Sequence, residues 1–178
     1  MGLVVLIGAS GSGKTTIASS IARRYANAVE VFHFDRIGVP SILQMTGEYG
    51  SGEEWQRAKT IEWMAKLAPL SRSGSKILFE GQTRLSSLAE GAVAAGGIMY
   101  LPILVDCDDR IRASRLSLER KQPELANETM MNWARYLRRE AKRNGCEILD
   151  TSALSPEQCV MHVISRLEGH PSSEKILR

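Results

Sequence analysis

Eight consecutive residues, Gly8-Ala9-Ser10-Gly11-Ser12-Gly13-Lys14-Thr15, have the types and spacing needed to hold a chain of phosphates. They match the pattern G-x-x-x-x-G-K-[ST] throughout. Glycines let successive backbone N–H groups turn inward around phosphate oxygens, and a helix opening near Lys14 aims its positive end at the same point. In that arrangement the Lys14 ammonium reaches the β and γ phosphates of ATP. The Thr15 hydroxyl becomes a ligand for Mg²⁺, and Thr16 follows it at the mouth of the loop.

Such a loop works only between a strand and a helix, and the flanking sequence supplies both. Leu3 to Ile7 is apolar on both faces, as a central strand of a covered parallel sheet must be. Thr16 to Tyr25 places Ile17, Ala18, Ile21 and Ala22 at helical spacing, with Arg23 and Arg24 where the helix dipole favours cations. The alternation continues: strands are expected at Val29 to Phe34, Lys76 to Phe79, Ile98 to Val105 and Glu147 to Leu149. Helices are expected at Glu53 to Leu67, Ile111 to Glu119, Glu128 to Arg143 and from Ser155-Pro156-Glu157 onward. Pro102 interrupts the fourth strand, which should be bulged or shorter. Gly38 to Gly52 and Gly91 to Gly97 read as loops, and the tail from Gly169 as loose. The pattern predicts a single α/β domain over residues 1–178, a three-layer sandwich around a parallel five-stranded sheet.

Bulk composition agrees with a globular domain: of 178 residues, 43% are hydrophobic and 24% charged. The formal charge of +3 suits a phosphate-bearing ligand without requiring nucleic acid. Cys107, Cys146 and Cys159 show neither disulfide nor zinc spacing. With no signal-peptide pattern or membrane-length apolar run, the expected location is the cytoplasm.

Three further segments resemble one branch of the P-loop proteins, the adenylate, shikimate and gluconate kinase-like group, and the resemblance spans nearly the whole chain. Ile77-Leu78-Phe79-Glu80-Gly81-Gln82-Thr83-Arg84 is similar to the adenylate kinase run of strand, acid, glycine, two variable residues and arginine. The resemblance implies that Glu80 serves the Mg²⁺ ion and that Arg84 is a cation for the acceptor or the transition state. Glutamate stands for the family's usual aspartate and Thr83 for its proline, which favours an outer-shell role for Glu80. Asp35, in Phe32-His33-Phe34-Asp35-Arg36, lies where hydroxyl-phosphorylating members carry a general base. His33 is expected to be a packing or surface group. The segment 106–145, with Arg110, Arg112, Arg115 and Arg120, resembles the helical lid of these kinases. That resemblance implies that Arg115 and Arg120 neutralise the transferring phosphoryl group. Asp150 and Thr151 lie where the family's adenine loop passes. Trp133 and Tyr136 read as a packing face rather than a base platform.

The implied activity is transfer of the γ-phosphoryl group of ATP to a small hydroxyl or phosphate acceptor held by the Gly38 to Leu67 region. A GTPase switch is excluded by the lack of Asn-Lys-x-Asp and D-x-x-G elements. A polynucleotide 5′-hydroxyl kinase shares the loop and the acid. A long nucleic-acid track is disfavoured, however, because Glu48, Glu53, Glu54 and Glu62 offset Arg57, Lys59 and Lys66. A nucleotide-binding ATPase without an acceptor is the third alternative.

Overall fold

The computed structural model describes residues 2–169, so most of the expected loose tail lies outside the described residues. The strands are β1 (Leu3–Ile7), β2 (Glu30–His33), β3 (Ile77–Gly81), β4 (Leu101–Asp106) and β5 (Glu147–Asp150). The helices are α1 (Lys14–Arg24), α2 (Ile42–Tyr49), α3 (Gly52–Arg72), α4 (Leu85–Ala94), α5 (Asp109–Ser114), α6 (Glu128–Arg143) and α7 (Pro156–Leu167). The strands form one all-parallel sheet in the order β2-β3-β1-β4-β5. This is the three-layer α/β arrangement of P-loop proteins.

All five residues of β1 are buried because helices cover both faces of the sheet. Leu3, Val5 and Ile7 join a core with α3, α4 and α6, whereas Val4 and Leu6 join α1 and α7 on the other side. That alternation is the two-residue period of a strand. It fixes β1 at the middle of the sheet, so the loop that follows opens at the sheet's C-terminal edge.

Two expected loops contain helices. Within Gly38 to Gly52, Ser41 and Gln44 form a capping box, with Ser41 Oγ accepting from the Gln44 N–H at 3.3 Å and Gln44 Oε1 from the Ser41 N–H at 2.9 Å. Gly50, at φ 84°, stops that helix. The segment expected to be a loop from Gly91 is instead the end of α4. A Cβ on Gly91 would lie 2.8 Å from Met64 Cγ and 3.2 Å from Ile61 Cα, so this glycine permits close helix packing rather than breaking a helix.

The fourth strand is shorter than expected and starts at Leu101, with Pro102 near its beginning where the ladder loses least. The helix expected at Ile111 to Glu119 ends at Ser114 and continues as a π turn, Arg115–Glu119. The Cys107 and Cys159 thiols are buried and Cys146 is half-buried; burial pushes all three pKa values up, that of Cys146 to about 11. Among the described residues no helix is long and apolar enough to cross a membrane.

Candidate active site

The phosphate loop runs from the end of β1 into α1. A Cβ on Gly8 would sit 2.3 Å from the Val105 carbonyl oxygen, so the loop can leave the sheet here only as glycine. Gly13 caps α1 in the left-handed region without a side-chain bond, leaving the first-turn N–H groups without side-chain competition for an anion. Lys14 is buried at the centre, its Nζ donating to the Ala9 carbonyl at 3.0 Å and to Ser12 Oγ at 3.4 Å. Burial lowers its pKa to about 8, against a partial upward pull from Glu80.

The loop is braced from three directions. Arg112, fully buried, donates to the Ser10 carbonyl at 2.9 Å and to Asp106 Oδ1 at 2.6 Å. Gln82 Nε2 donates to Ser10 Oγ at 3.0 Å, and Thr151 Oγ1 donates to the Ser12 carbonyl at 2.9 Å. Asp106 also accepts from Arg138 at 2.5 Å. One carboxylate at the end of β4 therefore joins α5, α6 and, through Arg112, the loop. Arg112 is a structural clamp rather than a lid cation.

Thr15 Oγ1 donates to Glu80 Oε1 at 3.3 Å, and the same oxygen pairs with His33 Nδ1 at 2.7 Å. His33 and Glu80 are register partners on adjacent strands, which explains the contact. His33 is therefore not a mere packing group: it orients the carboxylate. Asp35 follows β2 on a 3-10 turn, Phe34–Ile37, rather than on the strand itself. Part of its surface reaches solvent, yet partial burial and the nearby Glu80 charge raise its pKa, against Lys14 and Arg120.

A cavity of about 440 Å³ opens over Gly13, Lys14 and Thr15 and is walled by Arg115, Glu119 and Arg120. A smaller one of about 260 Å³ adjoins it, sharing Gly13, Thr16 and Arg115 and adding Thr151, Leu154 and Pro156. Arg115 donates to Thr151 Oγ1 at 2.8 Å and to the Thr151 carbonyl at 3.0 Å, so it spans both cavities. Asp150 lies elsewhere: its carboxylate accepts from the Ser152 N–H at 2.8 Å and faces a third cavity with Asp106 and Arg138. Arg110 is exposed and does not line the loop cavity. A further cavity of about 750 Å³, between α4 and the end of α6, touches none of the expected site residues.

Arg84 also stands apart from the loop. Its guanidinium pairs with Glu53 at 2.8 Å and lies over Tyr136 and Trp133, 4.7 and 5.1 Å from the ring centroids. Those two rings are stacked at 5.4 Å, in keeping with a packing face. Sequence reasoning missed Gln82, Arg138, Leu154 and Pro156. Only the proximity of Gln82 to Glu80 offered a signal.

The sheet order, the loop and its lysine together define a P-loop nucleotide-binding fold. The chain belongs to the AAA domain family, whose model matches residues 4–133. No curated protein matches it in sequence. Among solved structures it is similar to a sugar kinase from Janibacter sp., at 18% identity and TM-score 0.68, covering 93% of each chain. A gluconokinase from Sinorhizobium meliloti gives 17% and 0.62, covering 94% of this chain and 92% of that one. The shikimate kinase from Acinetobacter baumannii in complex with shikimate gives 14% and 0.61, covering 95% and 94%.

Proposed function

We propose that the chain is an ATP-dependent kinase that transfers the γ-phosphoryl group to the hydroxyl of a small molecule. The observation that carries the reading is the convergence of Lys14, Thr15, Glu80 and Asp35 at one end of the sheet. Asp35 lies close enough to Glu80 to feel its charge, and Lys14 feels both carboxylates. Lys14 binds the outer phosphates, and Arg115 and Arg120 from the segment 115–120 offset the charge that develops on the transferring group. Asp35, made more basic by its surroundings, accepts the proton of the acceptor hydroxyl.

The residues present fit a Mg²⁺ ion. A hydroxyl and a buried carboxylate are hard oxygen donors, and such sites use few protein ligands, with phosphate and water completing the shell. Thr15 would hold the ion and Glu80, aligned by His33, would order its water. Such an ion would supply neutralisation of the phosphate charge. Thr16, Thr151, Leu154 and Pro156 suit the sugar and base.

The test is a metabolite panel with ATP and Mg²⁺, in which products are followed by mass spectrometry. A phosphorylated acceptor is expected. Steady ADP release with no acceptor modified would replace the proposal by an ATPase.

A further inference from the structure

We infer that Glu119 selects the sugar of the nucleotide donor: its carboxylate accepts from the ribose 2′- and 3′-hydroxyls, so the site takes ribonucleotides in preference to 2′-deoxyribonucleotides. The inference rests on the nucleotide site of the kinase reading and gives a task to a residue which that reading leaves idle.

The two cavities that adjoin at the loop differ in kind. The larger is lined by Lys14, Arg115 and Arg120 and suits phosphates, whereas the smaller adds Ile17, Leu154, Pro156 and Cys159 and suits the faces of a base. A nucleotide laid across both has its ribose at their junction, because the sugar joins base to phosphate. Besides Gly13, the residues common to both cavities are Thr16, Arg115 and Glu119. Of these, Arg115 can only donate, and Thr16 offers one neutral hydroxyl. Glu119 is the charged acceptor at the junction.

Local structure puts it there. The turn Arg115–Glu119 is closed by the Arg120 N–H donating to the Arg115 carbonyl at 2.9 Å, a π-type ring of the sort found at functional sites. Arg115 is tied to Thr151, and Glu119, four residues on, stands on the same side of the turn. The Glu119 side chain is exposed and has no hydrogen-bond or ion-pair partner among the described residues. In a site built for a polyphosphate, a carboxylate repels the ligand unless the ligand brings it donors. The phosphates bring none. Ribose brings two adjacent hydroxyls, which match the two oxygens of one carboxylate. The amino group of adenine lies on the far side of the ring from the sugar, away from a residue that also lines the phosphate cavity.

The experiment is calorimetric titration of the full chain, in Mg²⁺, with the β,γ-imido analogue of ATP, its 2′-deoxy form and the matching GTP analogue. The ribose form should bind at least about tenfold more tightly than the 2′-deoxy form, the lower end for a hydrogen bond to a charged group. Glu119→Ala, a surface change whose fold circular dichroism verifies, should weaken the ribose form and bring the two within about twofold, with the ATP-to-GTP ratio unmoved. A wild-type ratio below tenfold overturns the inference, and so does a ratio that survives in the variant. Equal weakening of both sugar forms would make Glu119 a latch for its own segment, and a change confined to the ATP-to-GTP ratio would give it to the base; either result refutes the sugar assignment. Failure to bind any of the three nucleotides would remove the nucleotide site itself. Because no acceptor is present, ADP release without acceptor phosphorylation in the metabolite panel would sink the kinase reading and leave this inference standing.

Discussion

Raising the pH through the titration of Lys14 should weaken nucleotide binding by an amount the site itself sets. Burial takes the ammonium from its ordinary 10.5 down to about 8 in the free protein, a cost of about 3 kcal/mol for keeping it charged. Phosphate oxygens at the loop reverse this, because an adjacent opposite charge favours the protonated form. Binding above pH 8 therefore requires proton uptake. At pH 9 roughly one free molecule in eleven carries the proton, so affinity should fall about tenfold from its value at pH 7. Calorimetric titration with a nonhydrolysable ATP analogue, in buffers of different ionisation enthalpy, measures both quantities. Proton uptake should be about half at pH 8 and about 0.9 at pH 9. Lys14→Arg should abolish the dependence, since guanidinium stays charged. A flat affinity between pH 7 and 9.5 with no proton uptake would refute the reasoning.

Asp35→Asn should lower kcat on the order of 10²-fold while leaving nucleotide affinity within about twofold, the usual scale for a general base; equal losses in both would deny it that role. Arg112→Ala should cost about 3–5 kcal/mol in urea denaturation, because it strips a buried charge from Asp106 and a donor from the loop. A loss below about 1 kcal/mol would contradict the clamp. On binding the analogue, hydrogen exchange should slow over residues 115–127 but not across α6, whose Arg138 is already tied to Asp106. Protection gained equally along 106–145 would mean that the whole lid moves.

Residues with strong local constraints were legible before any coordinates. Leu3 to Ile7 could only be a buried strand, and the octet after it could only sit between strand and helix, so sheet type and nucleotide loop followed together. Helix α6 has the same bounds in sequence and structure because one of its faces is apolar and the other is strongly charged. Helices α2 and α4 escaped notice because the glycines at 38, 52 and 91 looked like punctuation, whereas the reason for Gly91 is the distance to Met64 on another helix. The same limit governs the site. Lys14 and Thr15 are local to a motif, but the partners of Arg84, Arg112 and His33 lie on neighbouring elements. A single chain of letters does not show which arginine meets phosphate and which meets aspartate.

The two arginines on Asp106 also set a tempo. Arg112 near the start of the lid-like segment and Arg138 near its end share one carboxylate, so both ends of that segment are pinned to the same point of the sheet. Arg115 is tied to Thr151 and Leu116 is buried, so what remains to travel is the stretch from Ser117 through the second helical turn at Pro123–Leu125. A span that short moves as a loop, on nanoseconds to microseconds, and not as a hinged body on microseconds to milliseconds. On the proposed kinase reading, closure over the nucleotide would then be a pre-equilibrium that keeps pace with every encounter, and the pace of turnover would fall to chemistry or to departure of product.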